Sequence, residues 1–309
     1  MIFDEPLRVY MAGAHGSSFC KGTNTYNALD ETEKWMRDSV AWHLESFHYI
    51  RKGRAVEHIR RNNTRIFLDS GAFSAWRVGA SIEMNEYCDF VNAHQDIILH
   101  DGGHKMIAPL DIIGGGGGSF VSYLKMREQG VYPLPCFHFG DRWELLDEYM
   151  KYSDYIAIGG MVGTSPKVLR VFLDELFERI ADYDGSPKIK THGFGLTSLP
   201  LMVRYPFYSV DSSVWVMWAS NGLILLPDSA KQINISSQSS SRKQSDQHID
   251  TVAPPLRSAI EDEIAKFYVD PQRLRDIYQS RWAWNIWCFP YFAGIQPRAQ
   301  FFKQEQLGF

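Results

Sequence analysis

Three aspartates follow short apolar runs, at positions where a carboxylate could do chemistry. Asp69 ends one such run and is followed by Ser70 and Gly71, while Asp111 and Asp211 end two later runs. Cleavage of a glycosidic bond needs two carboxylates in one pocket, one to attack or stabilise the anomeric carbon and one to move protons. A single Asp-Ser pair is also a common turn or helix cap. Three such aspartates favour a catalytic site centred on Asp69 and Asp211.

Two glycine-rich runs end further apolar segments, Ile-Gly-Gly at 158–160 and His-Gly-Phe-Gly at 192–195. One interpretation is a tight turn between a strand and a helix. The other is a binding surface, because a backbone without side chains lets a flat ring lie against its peptide groups. We therefore take Gly159, Gly160, His192 and Gly193 as candidate base-binding residues.

The elements that must position these residues alternate between strand and helix. Short apolar runs rich in β-branched and aromatic residues predict seven strands, at 8–14, 65–73, 105–113, 134–139, 155–160, 189–195 and 207–215. Amphipathic stretches predict helices at 31–51, 144–152 and 166–181, the last opening with Ser165 as cap and Pro166 in its first turn. This alternation predicts a parallel sheet.

A (β/α)8 TIM-like barrel is favoured over an open sheet, because the polar candidates fall at the carboxyl ends of several strands. No eighth strand stands out in the sequence. We expect one domain over 1–309, with a hairpin and a polar loop inserted after the seventh strand at 219–256 and a C-terminal helical segment at 257–309. Within them, the pattern predicts the hairpin at 222–235, a mobile loop from 236 onwards and a helix at 271–287.

Composition narrows the class of protein. The 309 residues are 45% hydrophobic and 22% charged, which is typical of a folded globular chain. No run approaches the roughly 18 apolar residues of a membrane helix, and no secretory leader is recognisable, so we expect a cytoplasmic protein without a membrane partner. The four cysteines form no CxxC pair and are expected to be free thiols.

The net charge of -4 excludes nucleic-acid binding by overall charge, so any such contact must be local. A basic stretch at 51–65 is the best candidate, and a solvated helix face is the alternative interpretation of it. Aromatic and basic residues mixed at 273–287 could stack on bases, although packing on the barrel is the favoured interpretation of that segment. The candidate nucleic-acid-binding residues are Arg51, Lys52, Arg54, Arg60, Arg61, Arg242, Lys243 and Arg281.

The order of these motifs resembles the tRNA-guanine transglycosylase superfamily. Its members carry an Asp-Ser-Gly-Gly-Phe strand end, an aspartate on the next strand, an Ile-Gly-Gly turn, a second glycine-rich turn and then a nucleophilic aspartate. The matching stretches here are 69–73, Asp111, 158–160, 192–195 and Asp211, and a likeness to the family's following hairpin extends the resemblance over roughly residues 65–235.

The resemblance implies a role for each residue. Asp211 would attack the anomeric carbon of a flipped nucleotide and expel guanine, and Asp69 would act as general base for the incoming base. Asp111 would read the guanine edge, with hydrogen bonds from Ser70 and from the backbone of Gly159 and Gly160. Gly71 and Phe73 belong to the same motif, and His138 would replace the glutamine that the family carries near that strand end.

Departures from the family pattern indicate which nucleic acid, DNA or tRNA, the protein acts on. The cysteine-rich zinc motif that tRNA-directed members carry after the hairpin is missing, because residues 236–266 contain no cysteine, and we expect neither metal nor cofactor. The chain is most similar in type to the DNA 7-deazaguanine transglycosylases of phages and bacterial modification islands. This resemblance implies that its partners are DNA and a 7-deazaguanine base, such as 7-cyano-7-deazaguanine. It also implies a location in the cytoplasm, or in the host cytoplasm for a phage protein. A second copy of the chain or another protein stays open as a further partner. A tRNA-directed transglycosylase, a nucleoside or base hydrolase and a non-catalytic nucleic-acid-binding barrel are the alternatives.

Overall fold

The computed structural model describes residues 5–16, 19–112 and 118–301, which form two compact units. The first unit comprises 5–16, 42–212 and 297–301, and the second comprises 19–41 and 213–296. We predicted a single domain with an insertion at 219–256. In the structure the insertion and most of the C-terminal helical segment belong to the second unit, together with 19–41. Ile113 of the third predicted strand and residues 302–309 of the C-terminal segment lie outside the described residues.

The strands are β1 (Arg8–Ala12), β2 (His43–Ser46), β3 (Phe67–Asp69), β4 (His100–Asp101), β5 (His104–Lys105), β6 (Cys136–His138), β7 (Tyr155–Gly159), β8 (Lys190–Gly193), β9 (Ser209–Ser212), β10 (Leu223–Leu225) and β11 (Gln232–Asn234). The α-helices are α1 (Asn24–Asn27), α2 (Glu31–Asp38), α3 (Phe47–Ile50), α4 (Ala55–Arg61), α5 (Ala72–Arg77), α6 (Met84–Ala93), α7 (Gly118–Glu128), α8 (Trp143–Tyr149), α9 (Pro166–Ile180), α10 (Leu199–Arg204), α11 (Val214–Ser220), α12 (Pro254–Ala265), α13 (Pro271–Asp276) and α14 (Tyr278–Ile295). Two 3-10 helices span Gln95–Ile97 and Ser240–Lys243.

The first unit is an α/β fold built on one curled sheet of seven parallel strands, in the order β3-β2-β1-β9-β8-β7-β6, with helices around it. All five residues of β7 are buried, as expected of a strand covered on both faces. The carboxyl ends of parallel strands lie at the same edge of a sheet. This edge therefore collects the polar residues that follow the strands, which is where α/β proteins carry their active sites.

Six of the seven predicted strands lie in this sheet, and the remaining strand of the sheet, β2, was missed. The predicted helix at 31–51 is two helices, α2 and α3, and it was wrong between them, because α2 ends at Asp38 and the chain then forms β2. α2 itself begins at a capping box in which Asp30 and Glu33 bond each other's backbone N–H groups. The prediction for α9 was right at its start, since the Ser165 hydroxyl accepts from Val168 N and Pro166 lies in the first turn.

The third predicted strand, at 105–113, is present only as a short hydrogen-bonded segment at 106–108. Its carbonyl at Met106 accepts from Leu68 N at 2.9 Å, and Ala108 N donates to Leu68 O at 2.8 Å. On its other side, Leu134 N donates to Ile107 O at 2.9 Å. The segment thus bonds to the strand at one end of the sheet, β3, and to the residue two positions before β6, the strand at the other end.

Among the described residues, the core of the first unit includes two buried clusters. One joins side chains from the strands and from 106–108, namely Tyr10, Ala12, Leu44, Phe67, Met106, Ala108, Leu134, Tyr155 and Tyr208. The other packs α3, α4 and α6 against β3, and Tyr87 of α6 ties it to the backbone, because its hydroxyl donates to Ala108 O at 2.9 Å. Burial of this apolar surface holds the strand ends in place.

The second unit contains the predicted hairpin, which is confirmed as antiparallel β10 and β11. The following polar segment, expected to be a mobile loop, carries a 3-10 helix at Ser240–Lys243 and is bonded to buried His248, whose Nε2 lies 3.0 Å from Ser236 O. The predicted helix at 271–287 is two helices, α13 and α14, which meet at Ile277. None of the helices in the described ranges is long and apolar enough to cross a membrane.

Candidate active site

The three sequence-predicted aspartates lie in the first unit, at the carboxyl side of its sheet. Asp69 is the last residue of β3 and pairs with Ser46 of β2, while Asp211 of β9 pairs with Tyr10 of β1. Asp111 follows the 106–108 segment. The charges of Asp211 and Asp111 both act to raise the pKa of Asp69, so both of these carboxylates lie within electrostatic range of Asp69. The structure therefore brings the predicted carboxylates together.

The pKa of the Asp69 carboxyl is strongly raised. Burial, followed by the charges of Asp211 and Asp111, raises its pKa to about 7 from an ordinary value of 3.8, although Gly71 N donates to its Oδ2 at 3.0 Å. Asp69 thus also caps the turn after β3, which was the alternative interpretation of this motif. A carboxyl group with this pKa exchanges its proton readily near neutral pH, as a general acid or base must.

Gly71 allows the turn that places Asp69. Its φ is +76°, and a Cβ atom at this position would lie 2.2 Å from the Ser46 hydroxyl oxygen and 2.5 Å from His48 Cβ. No larger residue fits without moving the backbone. Its neighbour Ser70 is buried, with its hydroxyl 3.4 Å from Ala72 N. Phe73, two residues after Gly71, is 41% exposed and stacks on Trp76 with the ring centroids 6.0 Å apart.

Asp211 is held by two groups that contact the same oxygen. Gly195 N donates to Oδ1 at 2.8 Å, and His192 Nε2 lies 3.3 Å from Oδ1. Gly195 has a φ of +60°, and a Cβ atom there would come 2.6 Å from a methyl carbon of Val162, so glycine is needed to aim this amide. The Asp211 side chain keeps about 10% of its surface exposed, so a ligand can reach it.

His192 is fully buried, and both of its ring nitrogens have partners. Its Nδ1 lies 2.6 Å from the Ser209 hydroxyl, which lies 2.6 Å from the Tyr155 hydroxyl. Burial holds the pKa of Tyr155 well above its ordinary value, so its hydroxyl stays protonated. One assignment of donors gives every contact in this row of hydrogen bonds a donor and an acceptor: Tyr155 donates to Ser209, Ser209 donates to His192, and His192 donates to Asp211. His192 therefore positions Asp211, which corrects its assignment as a direct base contact.

Asp111 joins a second cluster of donor atoms around His138. Asp111 Oδ2 lies 3.1 Å from His138 Nε2, and the Cys136 thiol lies 3.5 Å from the same nitrogen. On the other side of the ring, Asp141 Oδ2 lies 3.5 Å from Nδ1 and accepts from the His138 backbone N–H at 2.9 Å. Cys136 and the two carboxylates raise the pKa of His138, while burial raises the pKa of Cys136 to about 11. His138 thus contacts Asp111, the residue predicted to read the base.

The candidate glycines at or next to the ends of β7 and β8 are explained by backbone conformation or by close packing. A Cβ atom on Gly159 would lie 2.8 Å from His138 Cδ2 and 2.9 Å from the Cys136 sulfur. Gly160 has a φ of +73°, and on Gly193 a Cβ atom would meet the Phe207 ring at 3.2 Å. The tight-turn interpretation accounts for Gly160, and side-chain packing accounts for Gly159 and Gly193.

Glu45 is a functional candidate that the sequence did not reveal. It lies on β2 with a buried carboxylate that accepts from His15 N at 2.6 Å and from Gly16 N at 3.0 Å. Its Oε1 also lies 3.3 Å from His15 Nδ1. The available signal was the long interval between the first two predicted strands, which has room for a further strand-helix unit. Three of the four residues of β2 are polar, so the strand gave no apolar run.

The predicted nucleic-acid-binding residues of the first unit fall into two groups. Arg51 forms an ion pair with Glu86 at 2.9 Å, and Arg60 is bidentate to Asp96 at 2.7 and 2.9 Å. The other members, Lys52, Arg54 and Arg61, are exposed and have no ion pair within the described ranges. The exposed group is the part of this segment that remains available to a phosphate backbone.

The predicted nucleic-acid-binding residues of the second unit also differ from one another in exposure and in pairing. Arg242 is exposed but paired with Asp250 at 2.9 Å, and its neighbour Lys243 is exposed. Arg281 is buried, and its guanidinium donates to the backbone carbonyls of Ala219, Leu274 and Arg275. The assignment of Arg281 to nucleic acid was therefore wrong, because its donors hold the second unit together.

No protein-family model matches the chain, and no curated protein matches it significantly. The resemblance to the tRNA-guanine transglycosylase superfamily therefore remains a prediction from the order of its motifs.

Proposed function

We propose that this protein exchanges guanine in DNA for a 7-deazaguanine base through a covalent aspartyl-sugar intermediate. The observation that carries the proposal is the grouping of Asp69, Asp111 and Asp211 at one edge of the sheet, with the pKa of Asp69 raised to about 7. A glycosidic exchange needs a carboxylate that stays ionised as nucleophile and a second group that gives and then takes a proton. The different environments of Asp211 and Asp69 suit these two roles.

In the first half-reaction, the Asp211 carboxylate forms a bond to C1′ of the target nucleotide, and the C1′–N9 bond breaks with its electron pair passing to guanine. Neutral Asp69 supplies the proton that guanine then needs. Hydrogen bonds from His192 and Gly195 to Oδ1 hold the attacking group in one orientation. Guanine leaves neutral, and Asp69 becomes a carboxylate.

In the second half-reaction, the incoming 7-deazaguanine loses its N9 proton to the Asp69 carboxylate and attacks C1′, and the ester to Asp211 breaks. Both carboxylates return to their starting states, so the cycle consumes neither water nor an external acid. Two displacements at the same carbon retain the configuration of the sugar.

Asp111 is the proposed reader of the base. Its Oδ1 is buried and has no hydrogen-bond partner among the described residues, whereas Oδ2 faces His138. A buried acceptor without a partner is costly, and the N–H groups on the edge of a guanine or 7-deazaguanine would satisfy it. His138, which was proposed to read the base directly, instead orients Asp111 in this account.

The finer architecture proposed with this function is an eight-stranded barrel. Residues 106–108 would supply the eighth strand, since their backbone bonds to β3 on one side and to Leu134 on the other. Asp111 would then follow a strand as Asp69 does. This arrangement supports the proposal because barrel enzymes draw catalytic groups from the carboxyl ends of several strands.

The second part of the proposal is that the nucleic acid substrate is DNA. The target base must leave its stack to reach the carboxylates, at a cost of a few kcal/mol for a paired base. The exposed cations Lys52, Arg54 and Arg61 could hold the phosphate backbone while it does. DNA is preferred to tRNA because the sequence lacks the family's cysteine-rich zinc motif after the hairpin.

The direct test is incorporation of a labelled base. The protein is incubated with labelled guanine, or with 7-cyano-7-deazaguanine followed by nucleoside mass analysis, and with either duplex DNA, single-stranded DNA or tRNA. We expect incorporation into DNA alone and none with Asp211→Asn. Label in tRNA only would contradict the choice of polymer. Release of guanine with no base incorporated would instead show a hydrolase.

A further inference from the structure

The cluster around His138 has a donor set that the proposed exchange reaction does not need in full. One oxygen of Asp111, the sulfur of Cys136 and one ring nitrogen of His138 all lie within 4.8 Å of one another. His138 Nε2 is the common neighbour, at 3.1 Å from Asp111 Oδ2 and 3.5 Å from the Cys136 sulfur. This is the one such group of three found in the described part of the chain.

The two separations from His138 Nε2 are close to those between ligands that share a zinc ion. Tetrahedral Zn²⁺ binds sulfur at about 2.3 Å and nitrogen or oxygen at about 2.0–2.1 Å, which puts neighbouring ligand atoms roughly 3.2–3.7 Å apart. A cation placed among the three atoms would thus need only small movements of the side chains. Sulfur, imidazole and carboxylate together select zinc over magnesium or calcium, which prefer oxygen alone.

The environment of His138 is a second, independent indication. A histidine that binds metal through one nitrogen usually donates its other N–H to a carboxylate, which fixes the tautomer and the ring orientation. Here Asp141 Oδ2 lies 3.5 Å from Nδ1 and is itself anchored by the His138 backbone N–H at 2.9 Å. The ring is thereby turned so that Nε2 faces Asp111 and Cys136.

The backbone of β7 is also shaped around the cluster. Gly159 pairs with His138 in the sheet, and a Cβ atom on it would lie 2.8 Å from the His138 ring and 2.9 Å from the Cys136 sulfur. Any other residue would push these two donors apart. A simple ion pair between Asp111 and His138 does not account for a thiol held at the same nitrogen.

We propose that Asp111, Cys136 and His138 bind one Zn²⁺ ion, with Asp141 orienting the histidine and the fourth coordination position open to a small ligand. The Asp111 oxygen that binds zinc is Oδ2, which leaves Oδ1 for another partner. This site differs from the cysteine-rich zinc motif whose loss we noted in the sequence. Binding of zinc can be measured without any catalytic assay, so the inference stands or falls separately from the proposed base exchange.

The test is metal analysis of chelator-treated protein dialysed against Zn²⁺ alone. We expect about one zinc per wild-type chain and none above background for Cys136→Ala and for His138→Ala. Asp141→Asn should bind 10- to 100-fold more weakly, as is typical when the residue that orients a ligand is changed. Cys88→Ala, which removes a buried thiol outside the cluster, is the matched control and should bind zinc like the wild type.

Cobalt gives a readout that is specific for the cluster. Co²⁺ bound in place of zinc should show a thiolate-to-metal charge-transfer absorption that Cys136→Ala lacks and Cys88→Ala keeps. Wild-type protein that takes up no zinc, or a charge-transfer band that survives Cys136→Ala, would overturn the proposal. If Cys136→Ala does not fold, the wild-type metal content and the Asp141→Asn affinity still decide it, because an ordinary ion pair predicts no binding in either protein.

Discussion

The Nε2 atom of His192 lies 3.3 Å from Oδ1 of Asp211, and neither residue was expected to contact the other from the sequence. The histidine stands on β8 and the aspartate on the adjacent strand β9. On the far side of the ring, Ser209 continues the hydrogen-bonded chain to Tyr155. The orientation of the predicted nucleophile, Asp211, is therefore fixed by a buried chain of hydrogen bonds.

Replacing His192 by phenylalanine should lower the rate of glycosidic bond cleavage about 10- to 100-fold. The ring lies among the aromatic rings of Tyr10, Phe67 and Phe194, so phenylalanine preserves the packing but removes the donor to Asp211. A hydrogen bond to a charged group contributes about 1.5–3 kcal/mol, and each 1.36 kcal/mol is a factor of ten in rate. Single-turnover kinetics with a guanine-containing oligonucleotide measure this rate of glycosidic bond cleavage.

A positioning role for His192 also predicts which constants stay the same. The KM for the incoming base should be close to wild type in His192→Phe, while the melting temperature should fall because the buried Ser209 hydroxyl loses its acceptor. His192→Gln, whose amide can donate, should recover part of the rate. An equal loss of rate in both variants, or a raised KM for the incoming base, would contradict the positioning role.

The pH dependence of cleavage should follow the proton on Asp69. The pKa of Asp69 is raised to about 7, and the first half-reaction needs its protonated form, so single-turnover cleavage should fall as the pH rises through about 7. The second half-reaction needs the carboxylate, so complete exchange should be fastest near pH 7. Asp69→Asn should be slower and should lose this pH dependence. A cleavage rate that is flat between pH 5 and 9 in the wild type would contradict the assignment.

The same carboxyl group should make the wild type less stable as the pH rises. Folded Asp69 keeps its proton up to about pH 7, whereas the unfolded chain releases it near 3.8, so its favourable contribution is complete below pH 4 and is lost by about pH 7. Asparagine is neutral throughout. Asp69→Asn should therefore gain on the order of 3–4 kcal/mol in free energy of unfolding, relative to wild type, between pH 4 and 7.

Urea unfolding at a series of pH values measures this difference. Asp89→Asn, at an exposed position of α6, is the matched control and should show no comparable trend. A stability difference for Asp69→Asn that does not change with pH would mean that the folded-state pKa is close to its ordinary value.

Alanine at Gly159 should damage the His138 cluster and the stability of the fold together. Its Cβ atom would overlap with His138 and Cys136, and forcing extra atoms into a packed site costs about 1–3 kcal/mol. Thermal unfolding should show the loss. Gly294→Ala, next to the last residue of α14 and with nothing within 4 Å of the added atom, should instead change the stability by less than about 0.5 kcal/mol. Equal effects of the two substitutions would contradict the close packing at Gly159.

The sequence predicted the strand ends better than the elements between them. Short apolar runs rich in β-branched and aromatic residues marked six strands of the sheet correctly, because strands buried on both faces need nearly continuous apolar residues. β2 escaped because its side chains at His43 and Glu45 are polar, and their burial depends on partners far away in the chain, such as His15. Periodicity within a short window carries no information about such partners.

The site was predictable at the level of residue type and not at the level of contact. The grouping of Asp69, Asp111 and Asp211 followed from their shared position after strands. The partners of His192 and His138 did not, because register between neighbouring strands decides which ring meets which carboxylate. Arg281 shows the same limit, since an arginine beside tryptophans is compatible with stacking on a base or with donating to buried carbonyls, and only the packing of α14 distinguishes them.

The central claim is that Asp211 forms a covalent bond to the sugar of a nucleotide. Wild-type protein mixed with a guanine-containing DNA oligonucleotide, with released guanine removed and no acceptor base added, should give a denaturant-resistant adduct whose mass equals protein plus DNA minus guanine. Peptide mapping should place the bond on Asp211, and Asp211→Asn should give no adduct. An adduct that persists in Asp211→Asn, or guanine release by the wild type without any adduct, would contradict the account.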